Sequence, residues 1–421
     1  MTVARAEAFI ENEIFSDQVR KVDILVGIIS DERTSSVLMP LSKSHEGLAL
    51  AYPGLSSAVA FLDSSGNPAL RDSFLSAPCP VPRIYQSTGA GHGDKMNGLF
   101  NLMHLARRLE AKVIVALDGD LASVKRTWIG RLAQPVLDGT ADYTAPFYHS
   151  LKYDTPVTNL FGYPLFRALF GRRLRQPFFT DRAFSQGLNE SFLAHRDWPL
   201  GLPYSAYEMT MAILAINGKA RICQSFMATP RLAWQNRPLD LDTGRVFQRV
   251  AYGLFSLVGR FPEVWQNSRR SRPTTVTGTE LPPLVITPRE VAPAGTFLRE
   301  ISELVAAHGQ LWHQAFDGRK DWILEKIVSE SADSLNVSAR DWATICLRSI
   351  MAFHRLEDAL RPDFLKALSA VFYARLLTWL QSGAGLSQPQ MEARTEEECV
   401  IFEANRPVLL DGWAGTAATS A

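Results

Sequence analysis

The sequence predicts an α/β fold with a largely parallel sheet, followed by a helical domain. Three observations carry this expectation. Short apolar runs, mostly β-branched, recur through the N-terminal part, as in strands buried on both faces. Polar turn segments and an amphipathic helical stripe alternate with them. Beyond a proline-rich stretch, residues 269–293, only helical periodicity is evident.

Val22 to Ile29 (VDILVGII) reads as the first strand, and the polar segment Ser30-Asp31-Glu32-Arg33-Thr34-Ser35 follows it, with a helix starting near Ser35. Ser57 to Leu62 (SAVAFL) is the second strand. It is closed by the turn Asp63-Ser64-Ser65-Gly66-Asn67, whose acid could accept hydrogen bonds from a base or ribose. Arg83 to Gln86 is the third. Next comes Thr88-Gly89-Ala90-Gly91-His92-Gly93-Asp94-Lys95-Met96-Asn97, and Met96, Leu99, Phe100 and Met103 recur at helical spacing. A glycine-rich loop feeding a helix offers free N–H groups and a favourable dipole to an anion. It equally suits a tight strand-to-helix turn. Its spacing is neither a Walker loop nor G-x-G-x-x-G.

The fourth run, Val113 to Leu117, ends in Asp118-Gly119-Asp120. Ligands of open α/β sheets lie beyond the carboxyl ends of the strands, so this D-x-D pair stands where a substrate would. Two carboxylates so spaced can share a hard divalent cation, which could bridge a diphosphate leaving group. Alone, the pair equally suits a strand end whose acids cap the next helix. With polar residues also ending the first two strands, the pattern suits a nucleoside diphosphate and a metal.

Composition sets the outer bounds. A chain of 421 residues with 46% hydrophobic and 21% charged residues is ordinary for a soluble globular protein of two or three domains. Lys and Arg number 44 against 43 Asp and Glu, which gives no reason to expect a nucleic-acid or anionic-membrane partner. The cysteines, Cys79, Cys223, Cys346 and Cys399, form no C-x-x-C pair, and a reduced, cytoplasmic compartment fits. Neither a signal peptide nor a run of the ~20 apolar residues needed to span a bilayer is visible.

Gly91-His92-Gly93-Asp94-Lys95-Met96-Asn97, then Leu117-Asp118-Gly119-Asp120-Leu121, then Arg175-Gln176-Pro177 together resemble the retaining GT-A glycosyltransferases of the mannosylglycerate synthase and glucosyl-3-phosphoglycerate synthase type. Ala145-Pro146-Phe147-Tyr148, Lys152-Tyr153-Asp154, Tyr163-Pro164-Leu165, Asp363 to Leu368 and Phe402 to Trp413 extend the likeness over most of the chain. The resemblance implies a GT-A (Rossmann-like) nucleotide-sugar domain over 15–285 and a C-terminal all-helical domain over 290–413; residues 414–421 read as a frayed tail. It also implies transfer of glucose or mannose from a nucleoside-diphosphate sugar to a small polar acceptor such as glycerate. Ser30, Glu32, Arg33, Asp63, Gly91, His92, Gly93, Lys95, Asn97, Asp118 and Arg231 would contact the donor. Asp118 and Asp120 would hold Mg2+ or Mn2+. Gln176, Asp181 and Tyr207 would meet the acceptor, and Asp181 and Glu208 would be catalytic. The helical domain would close over the cleft or build a homodimer contact.

The departures from the pattern are specific. His92 stands where relatives have Lys. Phe178-Phe179-Thr180-Asp181 replaces Gly-Gly-acid, so two rings stand where glycines would let a sugar approach. Ala206-Tyr207-Glu208 aligns with Gly-Ile-Asp. The histidine that supplies a third metal ligand should fall in Thr229-Pro230-Arg231-Leu232, which has none. Either the metal is held by Asp118, Asp120, diphosphate and water, or Arg231 neutralises the diphosphate directly. Two other readings stay open: a catalytically degenerate sugar-nucleotide-binding or scaffold protein, and a nucleotidyltransferase. The latter would want a glycine-rich loop right after the first strand, and Ser30 to Ser36 contains no glycine.

Some residues have plainer uses. His149 and His195 suit surface or structural positions. Gly171-Arg172-Arg173-Leu174-Arg175 would steer a phosphorylated acceptor or form a solvated helix end. Tyr148, Tyr153 and Tyr163 would stack on sugar or fill the core.

Overall fold

A computed structural model describes residues 10, 12–15, 19–88, 95–149, 152–196, 198, 201–232, 239–278, 290–316, 321–329 and 334–417. The chain groups into two compact units. The first comprises 1–149, 176–236 and 274–284; the second comprises 150–175, 237–273 and 285–421.

The first unit is built on one sheet. Its strands are β1 (Asn12–Phe15), β2 (Ile24–Ile29), β3 (Ser57–Asp63), β4 (Arg83–Ser87), β5 (Val113–Asp118), β6 (Tyr143–Phe147), β7 (Arg182–Ser185), β8 (Ile222–Phe226) and β9 (Thr275–Thr277). They lie in the order β1-β4-β3-β2-β5-β7-β6-β8-β9. β1 is antiparallel to β4, and β7 is antiparallel to both its neighbours; the other pairs are parallel. The expected α/β architecture is therefore present. β2 and β5 are buried along their whole lengths, which is why their sequences read as unbroken apolar runs rather than alternating ones.

The crossover helices are α1 (Leu38–Ala51), α2 (Pro68–Ser76), α3 (Lys95–Arg108) and α4 (Thr127–Leu137). After α5 (Tyr163–Phe170), which belongs to the second unit, α6 (Gln186–Ala194) and α7 (Tyr204–Asn217) complete the first. The helix expected near Ser35 begins at Leu38. On α3, Leu99, Phe100 and Met103 are buried as the stripe predicts. Gly98 lets this helix approach the sheet closely: a Cβ there would lie 2.9 Å from Ile29 Cγ2 and 3.3 Å from Leu62 Cβ. That approach brings the first residue of α3, Lys95, to the strand ends.

The second unit is helical: α5, a π-helical turn at Thr158–Gly162, α8 (Asp242–Arg260), α9 (Pro262–Asn267), α10 (Ala294–Phe316), α11 (Asp321–Ser329), α12 (Ala339–Arg355), α13 (Arg361–Gly383), α14 (Gln388–Asn405) and α15 (Pro407–Ala417). Its polar core joins α5 to α14. Arg167, 2% exposed, donates to Glu396 at 2.5 Å and to Glu403 at 2.6 Å. Arg175 is buried and pairs with Glu392 at 2.9 Å, so the end of the Arg172–Arg175 cluster is an internal ion pair and not a solvated helix end. Two expectations shift here. The stretch 269–293 is not wholly irregular, because Thr275–Thr277 adds a sheet strand. The tail expected to fray from 414 is helical to Ala417. Among the described residues, no helix is long and apolar enough to cross a membrane.

Candidate active site at the carboxyl ends of the central strands

β2 and β5 run side by side in register, with Ile29 opposite Asp118. Their carboxyl ends therefore deliver Asp31 and Asp118 to one place. Gly119 turns immediately afterwards; its N–H donates to Ile29 O at 2.8 Å, and a Cβ there would lie only 3.0 Å from that oxygen. The close approach of the two strand ends thus favours a glycine between the acids.

Asp118 is the hub. Lys95 Nζ donates to its Oδ1 at 2.6 Å and stands 3.7 Å from Asp31 Oδ2. Arg231 Nη2 donates to its Oδ2 at 2.7 Å, while Arg231 Nε donates to Asp181 Oδ2 at 2.8 Å. Asp181 has no exposed surface. It accepts from the Asp118 N–H at 2.9 Å and from Tyr148 Oη at 2.5 Å. Asp120 N–H also donates to Asp118 Oδ1, at 3.1 Å. The guanidinium of Arg231 lies over the Phe179 ring, 4.8 Å from its centroid, and Phe179 and Tyr148 meet edge to face at 6.0 Å.

The charges explain one another. Burial alone would raise the Asp118 carboxyl, but Lys95 and Arg231 override it and hold it well below the ordinary carboxylate range. Burial would lower Lys95, yet Asp118 and Asp31 keep it charged and raise it. Asp120 moves the other way: burial and the neighbouring Asp118 charge push its carboxyl up. Its Oδ1 is buried with no hydrogen-bond partner among the described residues.

A further buried acid sits nearby. Glu208, on α7, accepts from Thr180 Oγ1 at 2.9 Å, and Arg182 Nη2 is 3.9 Å away. Burial outweighs Arg182 and Thr180 and pushes the Glu208 carboxyl up to about 8, with Lys95 and Asp118 close enough to act on its charge. Arg182 is itself spent on Tyr143 Oη at 2.7 Å and Glu208 O at 3.0 Å.

The remaining candidates fall in several places. Ser30 Oγ donates to Asp63 Oδ1 at 2.9 Å, and Tyr85 Oη donates to Asp63 Oδ2 at 2.9 Å. Arg33 pairs with Asp31 at 2.9 Å, whereas Glu32 points to solvent. Asn97 and Gln176 are buried, each with its side-chain carbonyl oxygen unpartnered among the described residues. Tyr207 is packed with Phe100 and Trp198 in an aromatic core cluster. Gly91, His92 and Gly93 lie outside the described residues. Asp31 and Tyr148 also belong to the cluster; the sequence offers Asp31 only as part of the polar segment after the first strand, and Tyr148 as a ring that stacks on sugar or fills the core. Asp31 was signalled by its place two residues past the end of β2; Tyr148 had only its aromatic character.

No protein-family model and no curated protein matches the chain. Solved structures do. The chain is similar to glucosyl-3-phosphoglycerate synthase from Mycobacterium tuberculosis with Mn2+ and UDP-glucose, at 19% identity and a TM-score of 0.40 over 57% of this chain and 79% of that one. The same enzyme with Mn2+, UDP and phosphoglyceric acid gives 19% identity and a TM-score of 0.41 over 57% and 78%. With phosphoglyceric acid alone it gives 18% and 0.40 over 57% and 80%.

The donor set at the strand ends does not fit Mg2+ or Mn2+. Hard cations need several oxygen ligands, and among the described residues no group of three or more His, Cys, Asp or Glu is arranged to hold a metal ion. Both Asp118 oxygens are taken by nitrogen cations. Asp120 contributes a single unpartnered buried oxygen.

Proposed function

We propose that this chain is a GT-A glycosyltransferase that moves a hexose, glucose or mannose, from a nucleoside-diphosphate sugar to a small hydroxylated acceptor such as glycerate, with retention. The observation that carries the reading is the pair of cations, Lys95 and Arg231, gathered on one carboxylate at the ligand edge of an α/β sheet. Charged donors fixed in a partly dry site are suited to a diphosphate that gains charge as it leaves. Arg231 retains N–H groups beyond those given to Asp118 and Asp181.

In the proposed step the bond between the anomeric carbon and the diphosphate oxygen breaks, and a bond to the acceptor oxygen forms on the same face. The acceptor's proton passes to the departing diphosphate oxygen. Glu208, whose carboxyl burial pushes up to about 8, would in its protonated form donate a hydrogen bond to a sugar or acceptor oxygen. Asp181 positions Arg231 and the Asp118 backbone, because both of its oxygens are already engaged.

The test is a transfer assay with UDP-, GDP- and ADP-glucose and -mannose, with and without glycerate. Acceptor-dependent release of nucleoside diphosphate together with a glycosylated product supports the reading. Donor binding without release points instead to a silent sugar-nucleotide-binding protein, and absence of donor binding rejects both.

A further inference from the structure

We infer that Arg231 is a resident cation that replaces a divalent metal, so that the diphosphate of the donor is bound by Arg231 and Lys95 directly; this rests on the donor reading above. Three independent features make a seat for a guanidinium and not for a metal. The first is geometry: the fork of Arg231 spans two separate carboxylates, Nε on Asp181 at 2.8 Å and Nη2 on Asp118 at 2.7 Å, the bidentate use to which Arg is suited. The second is the flat face of Phe179, 4.8 Å from the guanidinium carbon. An aromatic face attracts an organic cation but offers a hard metal ion no ligand atom. The third is charge. Asp118 already holds Lys95 on its other oxygen at 2.6 Å, so a divalent ion would have to displace one cation and sit against the other.

The site keeps an opening for an anion. The Arg231 side chain is 16% exposed and Lys95 11% exposed, while Asp181 beneath them is sealed. Asp181 thus anchors Arg231 from the sealed side, while Asp118, 11% exposed, shares the partly open side with both cations. Phosphoryl oxygens arriving there would meet N–H groups already oriented, with no ion to recruit.

Calorimetry on the full chain, titrated with UDP, GDP, ADP and inorganic pyrophosphate in EDTA and again in Mn2+, tests this directly. We expect the best-bound diphosphate to keep its affinity in EDTA within about threefold, a difference of under ~1 kcal/mol. Manganese EPR should show no stoichiometric ion, with or without that diphosphate. Arg231→Met should weaken diphosphate binding by about tenfold or more, the worth of a charge-assisted bond. Because this variant strands two buried carboxylates and can fail to fold, the EDTA comparison on the unaltered chain decides without it. Arg231→His frees Asp118 Oδ2 and Asp181 Oδ2 and adds an imidazole, so it should acquire Mn2+-dependent binding and an EPR signature of bound metal. Binding that needs Mn2+ in the unaltered chain overturns the inference and leaves the donor reading standing. Failure of every diphosphate to bind under either condition overturns both.

Discussion

At the scale of single residues, the site is a set of buried charges whose removal has unequal costs. Asp118→Asn removes the carboxylate that Lys95 and Arg231 share, leaving Lys95 with Asp31 at 3.7 Å and Arg231 with Asp181 at 2.8 Å, and breaking buried pairs of this kind costs about 3–5 kcal/mol. Asp120→Asn removes a charge that repels Asp118 and should change stability by no more than about 0.5 kcal/mol. Urea denaturation of the two variants at neutral pH checks the contrast; similar losses would mean that Asp118 is not the hub. Glu208 yields a pH prediction. It keeps its proton to about pH 8 in the native state but would lose it near 4.5 when unfolded. Between those values the native state binds more protons, so stability falls as pH rises, by up to about 1.4 kcal/mol per unit. Above about pH 8 both states are ionised and this slope ends. Glu208→Gln should flatten that part of the stability profile, and an unchanged profile would show that the group titrates normally. Much of the cluster was legible in the sequence, because Asp118, Lys95 and Arg231 lie at a strand end, a helix start and a conspicuous departure from the family pattern. The choice of Glu32 over Asp31 was not. An irregular segment has no fixed side-chain period to read, and here Asp31 turns inward while Glu32 and Arg33 are exposed.

At the scale of elements, legibility follows burial. VDILVGII, SAVAFL and VIVALD announced β2, β3 and β5 because strands buried on both faces must be apolar throughout. β6 (YTAPF) carries a proline, β7 has four residues and β9 three. Strands so short or so interrupted have no period to detect; their pairing partners define them. Packing between elements is tight enough to test. A Cβ at Gly27 on β2 would fall 2.4 Å from Leu102 Cδ1 on α3. Gly27→Ala should therefore destabilise by about 1–3 kcal/mol through overpacking. Leu102→Ala alone should cost about 2–5 kcal/mol through the cavity it leaves. Together they should cost less than their sum, since each relieves the other. Additive losses in a double-mutant cycle would place the conflict elsewhere.

At the scale of the whole molecule, the sequence reading divides the chain once, near 285–290, whereas the contacts draw 150–175 and 237–273 into the helical unit as well. Nothing in composition marks such excursions, because Tyr163–Phe170 is as apolar as a helix of either unit could be. The grouping has a measurable consequence. Arg167→Ala strands Glu396 and Glu403 and should raise amide exchange across α5, α8 and α10 to α15 more than across β2 to β5. Equal acceleration throughout would mean a single cooperative block. The strand order carries a further consequence, for synthesis. β7 lies between β5 and β6 but follows both in sequence, and among the described residues β6 pairs with β7 and β8 and not with β5. A chain emerging from the ribosome at about 5–20 residues per second therefore holds one apolar edge of β5 unpaired until Ser185 is out. An open edge of that kind invites pairing with other chains, so the interval in which the nascent polypeptide most needs a chaperone is set by the order of its strands.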